Sequence, residues 1–131
     1  MTRQAIATNQ APAAIGPYSQ AILTDGFLFC SGSLGMDPTS GELAEGVEAQ
    51  ATRALKNLEA LLSAAELTTA DVVKTTVFLV DMADFAAFNA IYATFFPSPH
   101  PARTTIAVAA LPKNARIEIE AIAYRHSSRG A

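Results

Sequence analysis

Residues 47–65 place the tightest constraint on what this chain can fold into. Val47, Ala51, Ala54, Leu55, Leu58, Leu61, Leu62 and Ala65 recur at steps of three and four. That spacing draws one apolar stripe along a helix of about five turns. Lys56, Asn57 and Glu59 fall off the stripe. A helix with such a stripe needs something to cover it. A second helix is expected from about Asp84 to Phe96, with Phe85, Phe88, Ile91, Tyr92 and Phe95 as its stripe. Asp84 or Asp81 is placed to cap its start, and Pro97 and Pro99 stop it.

Strands fill most of the remainder. Gln20–Thr24 and Phe27–Ser31 flank Asp25-Gly26, a two-residue hairpin signal. Val72–Val80 is rich in β-branched residues, and Arg103–Ala110 and Ile117–Tyr124 make two more strands. A sixth is expected around Ala5–Thr8. The order β-β-β-α-β-α-β-β reads as an α+β layer with two helices on one face of a sheet.

The chain has 131 residues, within the size of one domain. Residues 1–125 are expected to form it and residues 126–131 a flexible tail. Half the residues are hydrophobic and 16% are charged, which excludes disorder as the main state. Low charge on a small domain points to surface hidden in an oligomer. The net charge of −3 leaves no electrostatic footprint for nucleic acid. The one cysteine, Cys30, permits neither an intrachain disulfide nor a cysteine-based metal site. No run approaches the ~18 apolar residues of a membrane span. The N-terminus lacks the apolar core of a secretory signal, so a cytoplasmic setting is expected.

Alternation divides the sheet into two faces. Ile117, Ile119, Ala121 and Ala123 point to the expected helix side, and Glu118, Glu120, Ile122 and Tyr124 point away. Arg103, Thr105, Ala107 and Ala109 share a face, and the expectation places them with the carboxylates. That mixed face suits a protein–protein interface with polar clefts. Arg103 is either a surface charge or a fork that grips a carboxylate or phosphate. Glu118 and Glu120 are either paired with Arg116, Arg125 or Lys113, or one of them is a general acid/base. Tyr18, in Gly16-Pro17-Tyr18-Ser19, is either a packed loop residue or a phenol beside a site. Gly32, in Cys30-Ser31-Gly32-Ser33, either admits a ligand to the backbone or marks a bulge. His100 and His126 show no metal-ligand spacing.

If the last two strands pair as a hairpin about Lys113/Asn114, Arg103 lies level with Tyr124 and Glu118 with Ala109. The two side chains then stand six residues apart in register, or ~20 Å. An intervening strand would shift this by a few residues without cancelling it, so one subunit is not expected to bring both to one small ligand. A shared site would need neighbouring subunits and a symmetric oligomer.

Four segments resemble the RidA/YjgF family of reactive-intermediate deaminases. They are Ala11–Ala21, Val73–Leu79, Pro101–Thr105 and Leu111–Ala121, joined by Phe85 to Phe96 with Asn89 and Tyr92. The resemblance covers about residues 5 to 125. It implies a chorismate-mutase-like α+β subunit with a six-stranded mixed sheet, assembled as a homotrimer with ligand clefts between subunits. The implied activity is hydrolysis of 2-imino acids to 2-keto acids and ammonia, with no metal and no organic cofactor. Carried over, the carboxylate-binding arginine is Arg103, the tyrosine Tyr18 and the catalytic glutamate Glu118. The Ser-Gly turn is Ser31 and Gly32, and the helix asparagine is Asn89. Thr105 stands where many members have cysteine, so a role that needs a thiol is lost there. Ser33 stands where glutamine is common. The expected partner is a small 2-imino or 2-keto acid, with no nucleic acid and no membrane.

Overall fold

A computed structural model describes residues 2–126. Of the tail expected at 126–131, His126 is described, with its ring edge-on to Tyr124, and residues 127–131 lie outside the described residues. Six strands form one sheet: β1 (Gln4–Ile6), β2 (Ala21–Thr24), β3 (Phe27–Leu34), β4 (Val72–Leu79), β5 (Ala102–Ala107) and β6 (Ile117–Tyr124). Their order across the sheet is β1-β2-β3-β6-β4-β5. Helices α1 (Val47–Ala64) and α2 (Phe85–Tyr92) pack on one face. The α+β class and the mixed sheet are as expected.

Local chemistry explains most of the elements. Asp25 and Gly26 both take positive φ, 54° and 83°, the turn geometry that matches strand twist in a two-residue hairpin. Along β6, Ile117, Ile119, Ala121 and Ala123 are buried beneath the helices, while Glu118, Ile122 and Tyr124 are only partly covered. Leu28, Leu55, Leu58, Leu62, Val77, Leu79 and Phe88 complete the core. Each such side chain contributes roughly 1.5–3 kcal/mol when fully buried.

The expected β5–β6 hairpin does not form. Strand β4 lies between them, antiparallel to β6 and parallel to β5. A parallel pair needs a crossover, and α2 supplies it on the way from β4 to β5. The 108–116 connection then passes the end of β4. Val108 donates to the Leu79 carbonyl and Val80 to that of Arg116, at 2.8 and 3.1 Å.

Helix α2 is shorter than expected. Regular helix stops at Tyr92, and the chain continues in tighter turns, with Thr94 and Phe95 donating to Ile91 and Tyr92. Proline disfavours helical geometry in the residue before it, so Phe96 cannot extend the helix into Pro97. Asp81 caps the lead-in turn by accepting from Ala83 at 2.9 Å. Asp84 makes no cap and instead takes the Arg116 guanidinium at 2.7 Å.

Asn57 corrects the reading of α1. It lies off the apolar stripe, yet it is fully buried. Its amide donates to the carbonyls of Leu34 and Met36, at 3.1 and 2.9 Å, and its oxygen accepts from Arg53 Nε at 3.1 Å. These bonds hold the end of β3 against α1. At Gly35 a Cβ would come within 2.5 Å of the Gln50 backbone, so the strand touches the helix main chain there. Asn57→Ala leaves two carbonyls facing the core without their donor. It should lower unfolding free energy by about 2–4 kcal/mol, read from urea denaturation at fixed protein concentration. A loss under ~0.5 kcal/mol would show that the amide holds nothing.

Candidate active site

One cleft forms where β3 is bulged. Its pairing with β6 shifts register between Cys30 and Ser33, leaving Ser31 and Gly32 unpaired in the ladder. Ser31 instead reaches the preceding segment: its hydroxyl donates to the Ser19 carbonyl at 2.7 Å and its N–H to that of Gln20 at 3.0 Å. Gln20 gathers the 8–20 arm, donating to the carbonyls of Thr8, Ala11 and Pro12 and accepting from the Thr8 N–H. Tyr18 is held at the tip of that arm, half exposed, with its N–H on the Gly16 carbonyl at 2.9 Å. Together these residues line a cleft of about 400 Å³ with Leu34, Lys113 and Glu118.

Glu118 fits this cleft only because residue 32 has no side chain. A Cβ at Gly32 would lie 2.3 Å from Glu118 Oε2. Gly32 is therefore a bulge and also the point where a carboxylate approaches the backbone. Among the described residues Glu118 forms no ion pair with Arg116, Arg125 or Lys113, although Lys113 lines the same cleft. Arg116 is taken by Asp84, and Arg125 donates to the Ala65 carbonyl. Burial raises the Glu118 pKa above the ordinary carboxylate value, and the like charge of Glu120 adds to the rise. An acid poised this way can take and return a proton nearer neutrality.

Arg103 stands elsewhere. Its register partner is Thr75, whose hydroxyl meets Tyr92 of α2, so Arg103 projects on the helix side of the sheet. This corrects the expected common face. Arg103 and Thr105 lie on the side opposite Glu118, at the outer strand, where neither helix fully covers them. Arg103 Nη1 donates to Asn89 Oδ1 at 2.7 Å. A second, more polar cleft is lined by Asn89, Tyr92, Ala93, His100, Pro101 and Arg103. Thr105 Oγ1 is buried without a hydrogen-bond partner.

The structure thus brings Tyr18, Ser31, Gly32 and Glu118 together, and separately Asn89 and Arg103. Through β4, Arg103 is level with Ala121, three residues from Glu118 rather than six. Two strand spacings and three residues of rise still leave the two Cα positions ~14 Å apart, with the side chains on opposite faces. His100 and Lys113 were missed as lining residues. The sequence signal for His100 is its place beside Pro101-Ala102-Arg103.

Two outcomes follow from the Glu118 environment. A raised folded-state pKa favours the protonated carboxyl, so stability is greatest below the ordinary carboxylate range and falls as pH rises through the folded value. Glu118→Gln should therefore raise the melting temperature at pH 7 and lose that advantage as pH falls below the ordinary range. A variant equally stabilised at both pH values would contradict the shift. Gly32→Ala should displace the carboxylate, and NMR titration should return the Glu118 pKa toward its ordinary value. An unchanged titration would mean that the contact at residue 32 does not hold the carboxylate.

The endoribonuclease L-PSP family model matches residues 8–125. The 2-iminobutanoate/2-iminopropanoate deaminase of Rattus norvegicus is 55% identical over 94% of this chain and 90% of its own length. The human protein of the same name is 52% identical over 95% of this chain and 92% of its own. Among solved structures, the YjgF gene product of E. coli aligns with a TM-score of 0.89 and 47% identity, covering 94% of this chain and 99% of that one. E. coli TdcF with bound serine aligns with a TM-score of 0.89 and 42% identity over 94% and 99%. On the family match and on this degree of identity, the chain belongs to the endoribonuclease L-PSP family, among its RidA/YjgF members.

Proposed function

We propose that this protein hydrolyses small 2-imino acids to 2-keto acids and ammonia in clefts formed between subunits of a homotrimer. The observation that carries the reading is the split of the expected site into two incomplete halves. Arg103 with Asn89 offers anion-gripping donors without a proton shuttle. Glu118 with Tyr18 offers a proton shuttle, with Lys113 as a point charge but no planar fork for a carboxylate. Each half supplies what the other lacks. A neighbouring subunit that covers the open sheet face and its edge would bring them together. Exposed Phe29 and Ile106 on that face favour such burial. In this reading the cytoplasm is the working compartment, and no organic cofactor is needed.

The chemistry follows from the residue types. Arg103 holds the substrate carboxylate through its planar fork. Glu118 accepts a proton from the water that attacks the imine carbon and passes it to the imine nitrogen, giving a carbinolamine and restoring the carboxylate. Collapse of that intermediate forms the carbonyl. Glu118 takes the hydroxyl proton and delivers it to the amine, which departs as ammonia. Tyr18 hydrogen-bonds the nitrogen or the water, and the backbone around Ser31-Gly32 or Thr105 orients the ligand. Free imines already hydrolyse in water, so positioning supplies much of the gain. The ribonuclease named in the family's title finds little support here, because the net charge is −3 and phosphate binding relies on clustered cations.

A binding role for small carboxylates is the second reading, favoured by the serine bound in the TdcF structure. Glu118→Gln separates the two. Catalysis should fall while 2-oxobutanoate affinity holds, and equal loss of both would favour ligand holding alone. Arg103→Ala should abolish trapping-assay turnover, with the imine generated by an amino-acid oxidase and scavenged by semicarbazide. Subunit mixing tests the shared cleft. Co-refolded Arg103→Ala and Glu118→Gln subunits should recover up to about a quarter of wild-type activity, since one interface in four would carry both native residues. No recovery, from subunits shown to mix, would put both residues in one subunit's site.

A further inference from the structure

The Arg103 guanidinium rests on aromatic rings that the chemistry above does not use. Its central carbon lies 4.7 Å from the Tyr92 ring centroid and 5.5 Å from that of Phe85. The two rings are seven residues apart on α2, two turns along the same helix face. Tyr92 is pinned from several directions. Its hydroxyl meets Thr75 Oγ1 at 2.8 Å, and its ring packs on Phe88 and Phe96 at 5.7 and 4.5 Å. Thr75 is also the register partner of Arg103, so the ring's anchor and the guanidinium's backbone are adjacent in the sheet.

No carboxylate among the described residues pairs with Arg103. A guanidinium has five N–H donors in one plane. The ring holds the guanidinium by cation–π attraction, and the bond from Nη1 to Asn89 fixes one of its corners. The remaining donors are left to the cleft. We propose that Tyr92, anchored through Thr75 and assisted by Phe85, is a positioning residue that orients Arg103 for the substrate carboxylate. The inference rests on the reading that Arg103 grips that carboxylate. Arginine otherwise gives up rotamer freedom on binding, and a seat built during folding removes that cost from the binding step.

The test measures kcat in the semicarbazide assay and the dissociation constant of 2-oxobutanoate by calorimetry, on variants shown to be folded. Tyr92→Leu removes the ring and should weaken 2-oxobutanoate about tenfold, which is ~1.4 kcal/mol, with kcat at saturation within about twofold. Tyr92→Phe keeps the ring and should hold the weakening to about threefold or less. Phe85→Leu, at a half-buried position, should weaken binding by about threefold and decides the matter if Tyr92→Leu does not fold. Unchanged affinity in folded Tyr92→Leu, or in Phe85→Leu when the former fails to fold, overturns the proposal. So does a Phe variant as damaged as the Leu variant. Arg103→Ala, run alongside, separates the failures. If it binds 2-oxobutanoate like wild type, the reading of Arg103 falls first. If it loses binding while the ring variants keep it, only the positioning role falls.

Discussion

The site depends on a packing contact between Glu118 and the bare backbone at Gly32. Two residues of β3 oppose the ladder where one would normally stand, and the carboxylate occupies the space so opened. The contact removes water from one side of Glu118, and burial then raises its pKa. Ser31 uses the same irregularity. Freed from the ladder, its hydroxyl and N–H tie down the arm that carries Tyr18. One bulge therefore positions a carboxylate, goes with its raised pKa and brings a phenol to the same cleft.

The helix layer does the equivalent work for Arg103. Helix α2 exists as the crossover that parallel β4 and β5 require, and it lies over β4 and against outer strand β5. Asn89, Phe85 and Tyr92 all reach Arg103 from that one helix. A topological necessity thus supplies the polar and aromatic contacts of the guanidinium. Asp84, just before the helix, is turned away to Arg116, which leaves Arg103 without a competing carboxylate.

Much of this was readable in the residues. The α1 stripe, the Asp25-Gly26 turn and the alternation of β6 each report a short-range rule, either a helical period, a positive φ or a pleat. The misreadings share a cause. Asn57 lies off the apolar stripe, and only the two carbonyls that its amide serves account for its burial. Closeness in sequence suggests a β5–β6 hairpin, yet β4 takes the place between them and shifts the register by three residues. Insertion of β4 also overturned the face of Arg103, since its side is set by pairing with Thr75.

Sequence by itself determined which residue types were at hand and which short segments could be helix, strand or turn. Those choices rest on interactions within a few residues. It also carried a resemblance specific enough to single out Arg103, Glu118 and Tyr18. Only the tertiary structure decided that Glu118 and Arg103 face opposite sides of the sheet, that Gly32 makes room for a carboxylate, and that Tyr92 serves Arg103 as well as the core. Each of these depends on which strand lies beside which and in what register. That is settled by burying the whole apolar face at once, and no local pattern encodes it.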